Sequence, residues 1–254
     1  MPAPVNRLKQ RLLAGETLFG CWLSLADANA AEIMGTAGFD WLCIDGEHAP
    51  YDIRAIRDQL AVLESAASEV IVRVPAHEAW IIKQVLDAGA QTLLVPMVES
   101  GDQARAIVRA CTYPPRGIRG VGASGARASR FGSVPDYVTT ANDRICLFLQ
   151  VESRAGHAAL DDILAVEGVD GVFVGPADLA ADMGHAGNSA APGVQAAIRD
   201  ILTRAAAAGK PCGILCLDGR TADYLDWGAR FVAVGIDVLL LANAARALAA
   251  RHRG

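Results

Sequence analysis

Lysine is nearly missing from this chain of 254 residues, which carries it only at Lys9, Lys83 and Lys210. Covalent imine chemistry needs a lysine aimed into a site, so few positions are available for it. Also missing is any run near the roughly 18 apolar residues of a membrane helix. The segment from Met1 to Arg11 is polar and holds no apolar core ahead of a cleavage site. A formal net charge of −5 leaves no footprint for nucleic acid or an anionic membrane. No Cys-x-x-Cys pair occurs among Cys21, Cys43, Cys111, Cys146, Cys212 and Cys216, and all but Cys111 lie inside apolar runs. They read as buried, reduced thiols, and a cytoplasmic enzyme is the expectation. No Gly-x-Gly-x-x-Gly follows the first apolar run, which removes the main support for a doubly wound dinucleotide fold.

What is present is an alternation. Eight short apolar runs recur: Phe19–Leu25, Trp41–Ile44, Val70–Val74, Thr92–Val98, Ile145–Val151, Gly171–Val174, Cys212–Leu217 and Phe231–Val234. They are rich in Val, Ile, Leu or Phe without strict alternation, as in parallel strands covered on both faces. Between them lie helical patterns at Ala28–Ala37, Ile53–Glu64, Glu78–Ala88, Gly101–Cys111, Ala155–Val166, Pro192–Ala208 and Arg220–Trp227, with a last one from about Asp237 to His252. Ala37-Gly38, Ala88-Gly89 and Ala208-Gly209 look like helix ends at which glycine takes the left-handed conformation. With 52% hydrophobic residues there is ample material for a large core. The reading is an α/β fold of the (β/α)8 TIM-barrel type, one domain over residues 1–254.

In such a barrel the active site gathers at the C-terminal strand ends. Those ends present Trp22, then Asp45-Gly46-Glu47-His48, Arg73-Val74-Pro75, Glu99, Gln150-Val151-Glu152 and Gly175-Pro176-Ala177-Asp178. Gln150 and Glu152 are two apart on a strand and point the same way. Glu152 and Asp178 come from neighbouring strands, and two carboxylates plus water and a chelating substrate suit Mg²⁺ or Mn²⁺. The plainer alternative is that each caps the helix that follows. Of the five histidines only His48 sits at a strand end. Arg73 would place a fixed cation in the mouth, where it needs an anionic partner, protein or substrate. Lys9 precedes the barrel, Lys83 lies within a helix and Lys210 enters the seventh strand from below, so none lines the mouth of its own barrel. Two segments break the rhythm: Thr112–Asp143, with Arg119, Arg127 and Arg130, and the shorter Gly187–Pro192. A connection as long as the first is usually functional or mobile.

The runs Asp45-Gly-Glu-His-Ala-Pro, Val72-Arg-Val-Pro, Leu94-Val-Pro-Met-Val, Arg119-Gly-Val-Gly, Gln150-Val-Glu and Val174-Gly-Pro-Ala-Asp-Leu together resemble the HpcH/HpaI aldolase family. These are metal-dependent class II pyruvate aldolases, among them 4-hydroxy-2-oxoheptanedioate and 2-dehydro-3-deoxyglucarate aldolases. The likeness runs in order along nearly the whole chain. It implies that Glu152 and Asp178 hold a divalent metal (Mg²⁺, Mn²⁺ or Co²⁺), that His48 transfers the proton and that Arg73 stabilises the transition state. Gln150, Gly175, Pro176, Ala177 and Asp178 match its pyruvate pocket, and Trp22 an aromatic at the pocket edge. The family also uses an aspartate to raise the basicity of the histidine. Asp87 is the matching position, although it ends a helix on the far side of the barrel and would have to act across a subunit contact. Asp45 is the alternative within one chain. One position departs from the pattern: Tyr51 stands where many members carry Asn.

The implied reaction is reversible aldol cleavage of a 4-hydroxy-2-oxo acid to pyruvate and an aldehyde. The competing readings are a related metal-dependent keto-acid lyase or decarboxylase, and a catalytically silent barrel that binds keto acids. The long connection is expected to set the acceptor aldehyde, with Arg119, Arg127 and Arg130 gripping a distal carboxylate. The final helix, with Val238-Leu-Leu-Leu-Ala and Ala244-Ala-Arg-Ala-Leu-Ala-Ala, is apolar almost all round. Such a helix needs a second surface to cover it, so it is expected to pack against or exchange with another subunit. The resemblance implies a hexamer.

Overall fold

The computed structural model describes residues 1–252. Eight parallel strands follow one another around a closed barrel: β1 Leu18–Leu23, β2 Trp41–Asp45, β3 Glu69–Arg73, β4 Thr92–Val95, β5 Cys146–Val151, β6 Gly171–Val174, β7 Cys212–Leu215 and β8 Ala229–Ile236. β8 pairs back onto β1, which leaves no strand edge unpaired. The (β/α)8 barrel read from the alternation is the fold that forms. No helix among the described residues is long and apolar enough to cross a membrane.

The helices are α1 Arg7–Leu13, α2 Ala28–Gly35, α3 Ile53–Val62, α4 Ala79–Asp87, α5 Gly101–Cys111, α6 Tyr137–Thr140, α7 Arg154–Ala158, α8 Leu160–Leu164, α9 Pro176–Asp182, α10 Pro192–Ala207, α11 Thr221–Asp226 and α12 Asp237–Arg251. Sequence punctuation explains several limits. Gly38, Gly89 and Gly209 hold positive φ just beyond α2, α4 and α10. Asp27, Asp52, Ser100 and Ser153 accept backbone N–H bonds at the starts of α2, α3, α5 and α7. The helix expected over Ala155–Val166 is two short ones that meet at Ala159.

Two packed regions flank the strands. Strand residues such as Leu42, Ile44, Val72, Val95, Leu149 and Val172 pack outward against the helices. Inside the barrel lie Trp22, Trp41, Phe148, Phe173 and Phe231, joined from below by Leu8 and Leu12. Gly20 makes this filling possible, because a Cβ there would lie inside the Trp41 indole. α1 plugs the bottom of the barrel with Leu8 and Leu12 fully inside, and Asn6 caps it. Of its three leucines Leu13 is exposed, and the stretch is otherwise polar, so its apolar periodicity is too weak to mark a helix. All six cysteines are free and buried, matching the reading as reduced thiols.

The long connection lies on the opposite face from the strand mouths, and this corrects an expectation. It joins the end of α5 to the start of β5, so it belongs to the bottom of the barrel. There it builds a small core of its own from Ala3, Tyr113, Ala123, Val134, Tyr137 and Ala141. Arg119 is buried under Tyr113, 4.4 Å from the ring centre, and donates to Asp87 at 2.7 Å. Arg127 and Arg130 pair with Glu64. None of the three reaches the mouth of its own barrel, so they cannot grip a substrate carboxylate there. Length and positive charge suggest a grip on substrate, but neither says which end of the barrel a loop covers.

Candidate active site

Strand register sets the first pair of the site. Asp45 and Arg73 end β2 and β3 as direct neighbours. Both are buried, and Arg73 donates through Nε and Nη2 to the two Asp45 oxygens at 2.8 Å each. The same Asp45 carboxylate accepts the backbone N–H groups of Glu47 and His48 at 3.2 Å, which turns the chain sharply beyond β2. Gly46 permits that turn, since a Cβ would press on the Arg73 carbonyl at 2.6 Å. The guanidinium lies over the Trp22 ring at 4.2 Å. Trp22 is therefore part of the barrel filling beneath Arg73 rather than an exposed rim residue, and its buried Nε1 has no partner.

The turn puts Glu47 and His48 at the mouth. His48 is exposed, whereas Glu47 is mostly covered. Glu47 Oε2 stands 2.9 Å from Arg73 Nη1 and 3.7 Å from His48 Nε2. That oxygen is buried without an aligned hydrogen bond, so charge alone holds it. Burial pushes the Glu47 carboxyl upward from its ordinary value, against the pull of Arg73 and His48. Glu47 lies in the strand-end run Asp45-Gly46-Glu47-His48, but no spacing or motif in the sequence singles it out.

Across the mouth, β5 and β6 are adjacent, with Val151 beside Val174, which brings Glu152 next to Gly175. Glu152 is buried. Its Oε1 accepts the Met97 N–H at 2.8 Å and its Oε2 the Gln150 side-chain amide. Met97 holds φ at 54°, a left-handed backbone that costs about 1–3 kcal/mol for a residue with a side chain. That strain aims its N–H at Glu152, and nothing in the sequence marks it. Burial raises the Glu152 carboxyl to about 7, with the charges of Asp178 and Glu47 adding to the rise and the Met97 N–H and Arg73 opposing it. Asp178 is exposed in the first turn of α9 and forms no ion pair among the described residues. Neither carboxylate caps a helix: Ser153 caps α7, and Asp178 lies inside α9 beyond its N-cap Gly175.

The arrangement fits a divalent cation. Asp45, Glu47, Glu152 and Asp178 face a single fixed cation, Arg73, so the mouth carries surplus negative charge. The Gln150 Oε1 is buried without a partner. Glycine is required at 175, because a Cβ would run into Glu152 Oε2 and stand 2.8 Å from Gln150 Nε2. No group of three or more His, Cys, Asp or Glu gathers to hold a metal among the described residues. Two carboxylates alone leave most positions of an ion to water and substrate, as suits a Mg²⁺-type ion rather than a closed structural site.

Other expected positions fall as follows. Pro176 and Ala177 open α9 beside Gly175. Asp87 ends α4 on the bottom face and is tied to Arg119, so the chain's own fold keeps it apart from the mouth. Tyr51 packs against the helix-side core, and its hydroxyl has no partner. Lys9 is bound to Asp170 and the Ile145 carbonyl, and Lys210 to the Val169 carbonyl, both below the barrel; Lys83 lies on α4.

A closed β/α barrel that gathers its buried arginine, its exposed histidine and its carboxylates at the C-terminal strand ends has the layout of a barrel enzyme. Residues 18–244 match the sequence profile of HpcH/HpaI aldolase/citrate lyase, and the chain belongs to that family. It is 59% identical over 254 residues to a hydroxypyruvate/pyruvate aldolase of Roseovarius nubinhibens, covering 100% of this chain and 99% of the relative. It is 52% identical over 247 residues to a 4-hydroxy-2-oxo-heptane-1,7-dioate aldolase of Escherichia coli, covering 97% and 94%. A solved HpcH/HpaI aldolase/citrate lyase family protein from Burkholderia cenocepacia superposes with a TM-score of 0.94 at 43% identity, covering 98% of this chain and 100% of that one.

Proposed function

We propose that this protein is a class II pyruvate aldolase that reversibly cleaves 4-hydroxy-2-oxo acids to pyruvate and an aldehyde. The observation that carries the reading is the facing pair of groups at one barrel mouth: Glu152 with the exposed Asp178 on one side, Arg73 with His48 on the other. The relatives named for pyruvate, hydroxypyruvate and a 4-hydroxy-2-oxo dioate support both the donor and the bond cleaved.

Glu152 and Asp178 would hold a divalent metal (Mg²⁺, Mn²⁺ or Co²⁺), which supplies Lewis-acid polarisation of the keto carbonyl. The chain's own groups do the rest. Gln150, with its free Oε1, and the backbone at Gly175, Pro176 and Ala177 border the pyruvate end. His48 moves the proton at the pyruvate methyl carbon, as its exposed ring at the mouth allows. Arg73, fixed by Asp45 and the Trp22 face and with Nη1 beside Glu47, holds a preorganised positive charge for the oxygen on which charge develops. Trp22 acts through Arg73, as the surface on which the guanidinium rests. The aldehyde end opens toward solvent beyond His48.

The working form is read as a cytoplasmic homo-oligomer, a hexamer by family resemblance. Support comes from α12, where Val238, Leu239, Leu240, Leu241 and Leu248 are exposed on a single chain. Only a neighbouring copy could bring an Asp87 to His48, since the chain's own lies at the other end of the barrel.

Pyruvate release from a panel of 4-hydroxy-2-oxo acids, with chelator and after adding back Mg²⁺, Mn²⁺ or Co²⁺, tests this reading. Metal-restored cleavage is expected. Full activity in chelated protein would remove the metal. Keto-acid binding without cleavage or proton exchange would leave a silent barrel, and decarboxylation without aldol cleavage a related lyase. Borohydride with pyruvate should trap no adduct, given where the three lysines lie.

A further inference from the structure

Two carboxylates surround one guanidinium at this mouth, and only one is needed to neutralise it. Asp45 already pairs with Arg73 through two aligned hydrogen bonds. Its oxygens are occupied further by the N–H groups of residues 47 and 48. Glu47 is therefore surplus in charge, and its Oε2 is buried without an aligned hydrogen bond. Burying an ionised oxygen this way is unfavourable unless another positive charge repays it. The candidate is His48, whose Nε2 lies 3.7 Å from that oxygen.

We propose that Glu47 is a positioning residue of the reaction, its carboxylate bridging Arg73 and His48 so that the imidazolium formed on proton uptake meets a waiting negative charge. This role rests on the aldolase reading. It also assigns the carboxylate partner of His48 within one chain to Glu47, because Asp45 is committed to Arg73. The arrangement matches the state after proton transfer better than the state before it, which is the condition for lowering a barrier. The charged groups facing Glu47 are Arg73 from β3, His48 and Asp45 from the end of β2, Asp178 from α9 and Glu152 from the end of β5. Arg73, and His48 once it is protonated, favour its ionised form, and the three carboxylates oppose it.

Glu47→Gln keeps the shape and removes the charge. In metal-loaded protein, the turnover rate of pyruvate methyl-proton exchange into deuterated water should fall roughly ten- to a hundredfold, the usual loss on removing an outer partner of a site group. The KM for pyruvate should stay within about twofold. In a His48→Ala background the same change should cost nothing further, because residues acting as a unit are not additive. A rise in KM at native turnover would overturn the role, leaving Glu47 as a mere prop for Arg73. So would native turnover at native KM, or an undiminished further loss in the His48→Ala background. If Glu47→Gln does not fold, Glu47→Asp, which keeps the charge but withdraws it, is the second variant. It should lower turnover with KM held, and native turnover there would equally overturn the role. Native protein inert in both exchange and cleavage would sink the aldolase reading and this role with it. An active native enzyme with an indifferent Glu47 sinks the role alone.

Discussion

Asp45 and Arg73 are register partners on adjacent strands, and their side chains meet through two hydrogen bonds of 2.8 Å. The pair has two jobs that can be separated. Arg73→Ala leaves a buried, unpaired carboxylate, which should cost about 3–5 kcal/mol of stability. It also removes the fixed cation, and loss of one such donor lowers the rate by roughly 10²–10³. The double variant Asp45→Asn, Arg73→Ala should recover much of the stability, read by denaturant unfolding, and none of the activity. Recovery of activity in the double variant would mean that Arg73 is structural only.

The Glu152 carboxyl, raised from 4.5 to about 7, makes a statement about metal-free protein. A carboxyl that titrates higher when folded favours the folded state below its unfolded value, and this contribution is lost as pH rises through the folded value. Chelated protein should therefore lose stability between about pH 4.5 and 7, on the order of 3 kcal/mol from this group. Saturating Mn²⁺ should flatten that slope, because bound metal favours the ionised form, and binding near pH 6 should release protons. Melting curves against pH, with and without metal, check this. A flat profile in chelated protein would show that Glu152 ionises freely.

Gly175 carries a sharper test of the same pocket. A Cβ there would collide with Glu152 Oε2 and crowd Gln150 Nε2. Gly175→Ala should displace one of them, weakening metal binding by at least tenfold in calorimetry while the barrel still folds. Native metal affinity in that variant would place the ion elsewhere.

Fold and site were legible to different depths. Strands buried on both faces give unbroken apolar runs, so the eight strands could be counted, and strand ends told which residues face the mouth. The Asp45–Arg73 contact was not legible, because register across β2 and β3 depends on the closed barrel rather than on spacing. Met97 was hidden for a different reason: its left-handed backbone accompanies the N–H bond to Glu152, and methionine gives no local hint of it. The loop arginines misled because their positive charge invites a substrate. In the fold Arg119 serves Asp87 and two tyrosine rings on the other face.

The apolar side of α12 calls for a cover. Leu240 and Leu241 are 49% and 60% exposed in the single chain, next to Val238 and Leu239. Leu240→Glu with Leu241→Glu should split the native assembly into smaller species by light scattering, leaving the secondary structure intact. Activity should fall with it if a neighbouring Asp87 serves His48, and Asp87→Asn in the intact assembly should then lower the rate as well. A native protein that is monomeric and active when dilute would remove both ideas.

His48 and Arg73 should fail in different ways, and the difference identifies the base. His48→Ala removes a largely exposed ring whose one ion-pair neighbour among the described residues is Glu47, so folding and metal binding should be unchanged. Pyruvate should still bind, because Gln150, Gly175 and Arg73 remain. Exchange of its methyl protons and aldol cleavage should both slow by about 10²–10⁴, the range for losing a general base. Arg73→Ala should weaken pyruvate binding too, because the cation is present before any charge develops. If His48→Ala exchanged protons at the native rate, another group would be the base, and the mouth offers Glu47 as the next candidate. If it lost its metal instead, His48 would be a ligand and the two-carboxylate site would be incomplete without it.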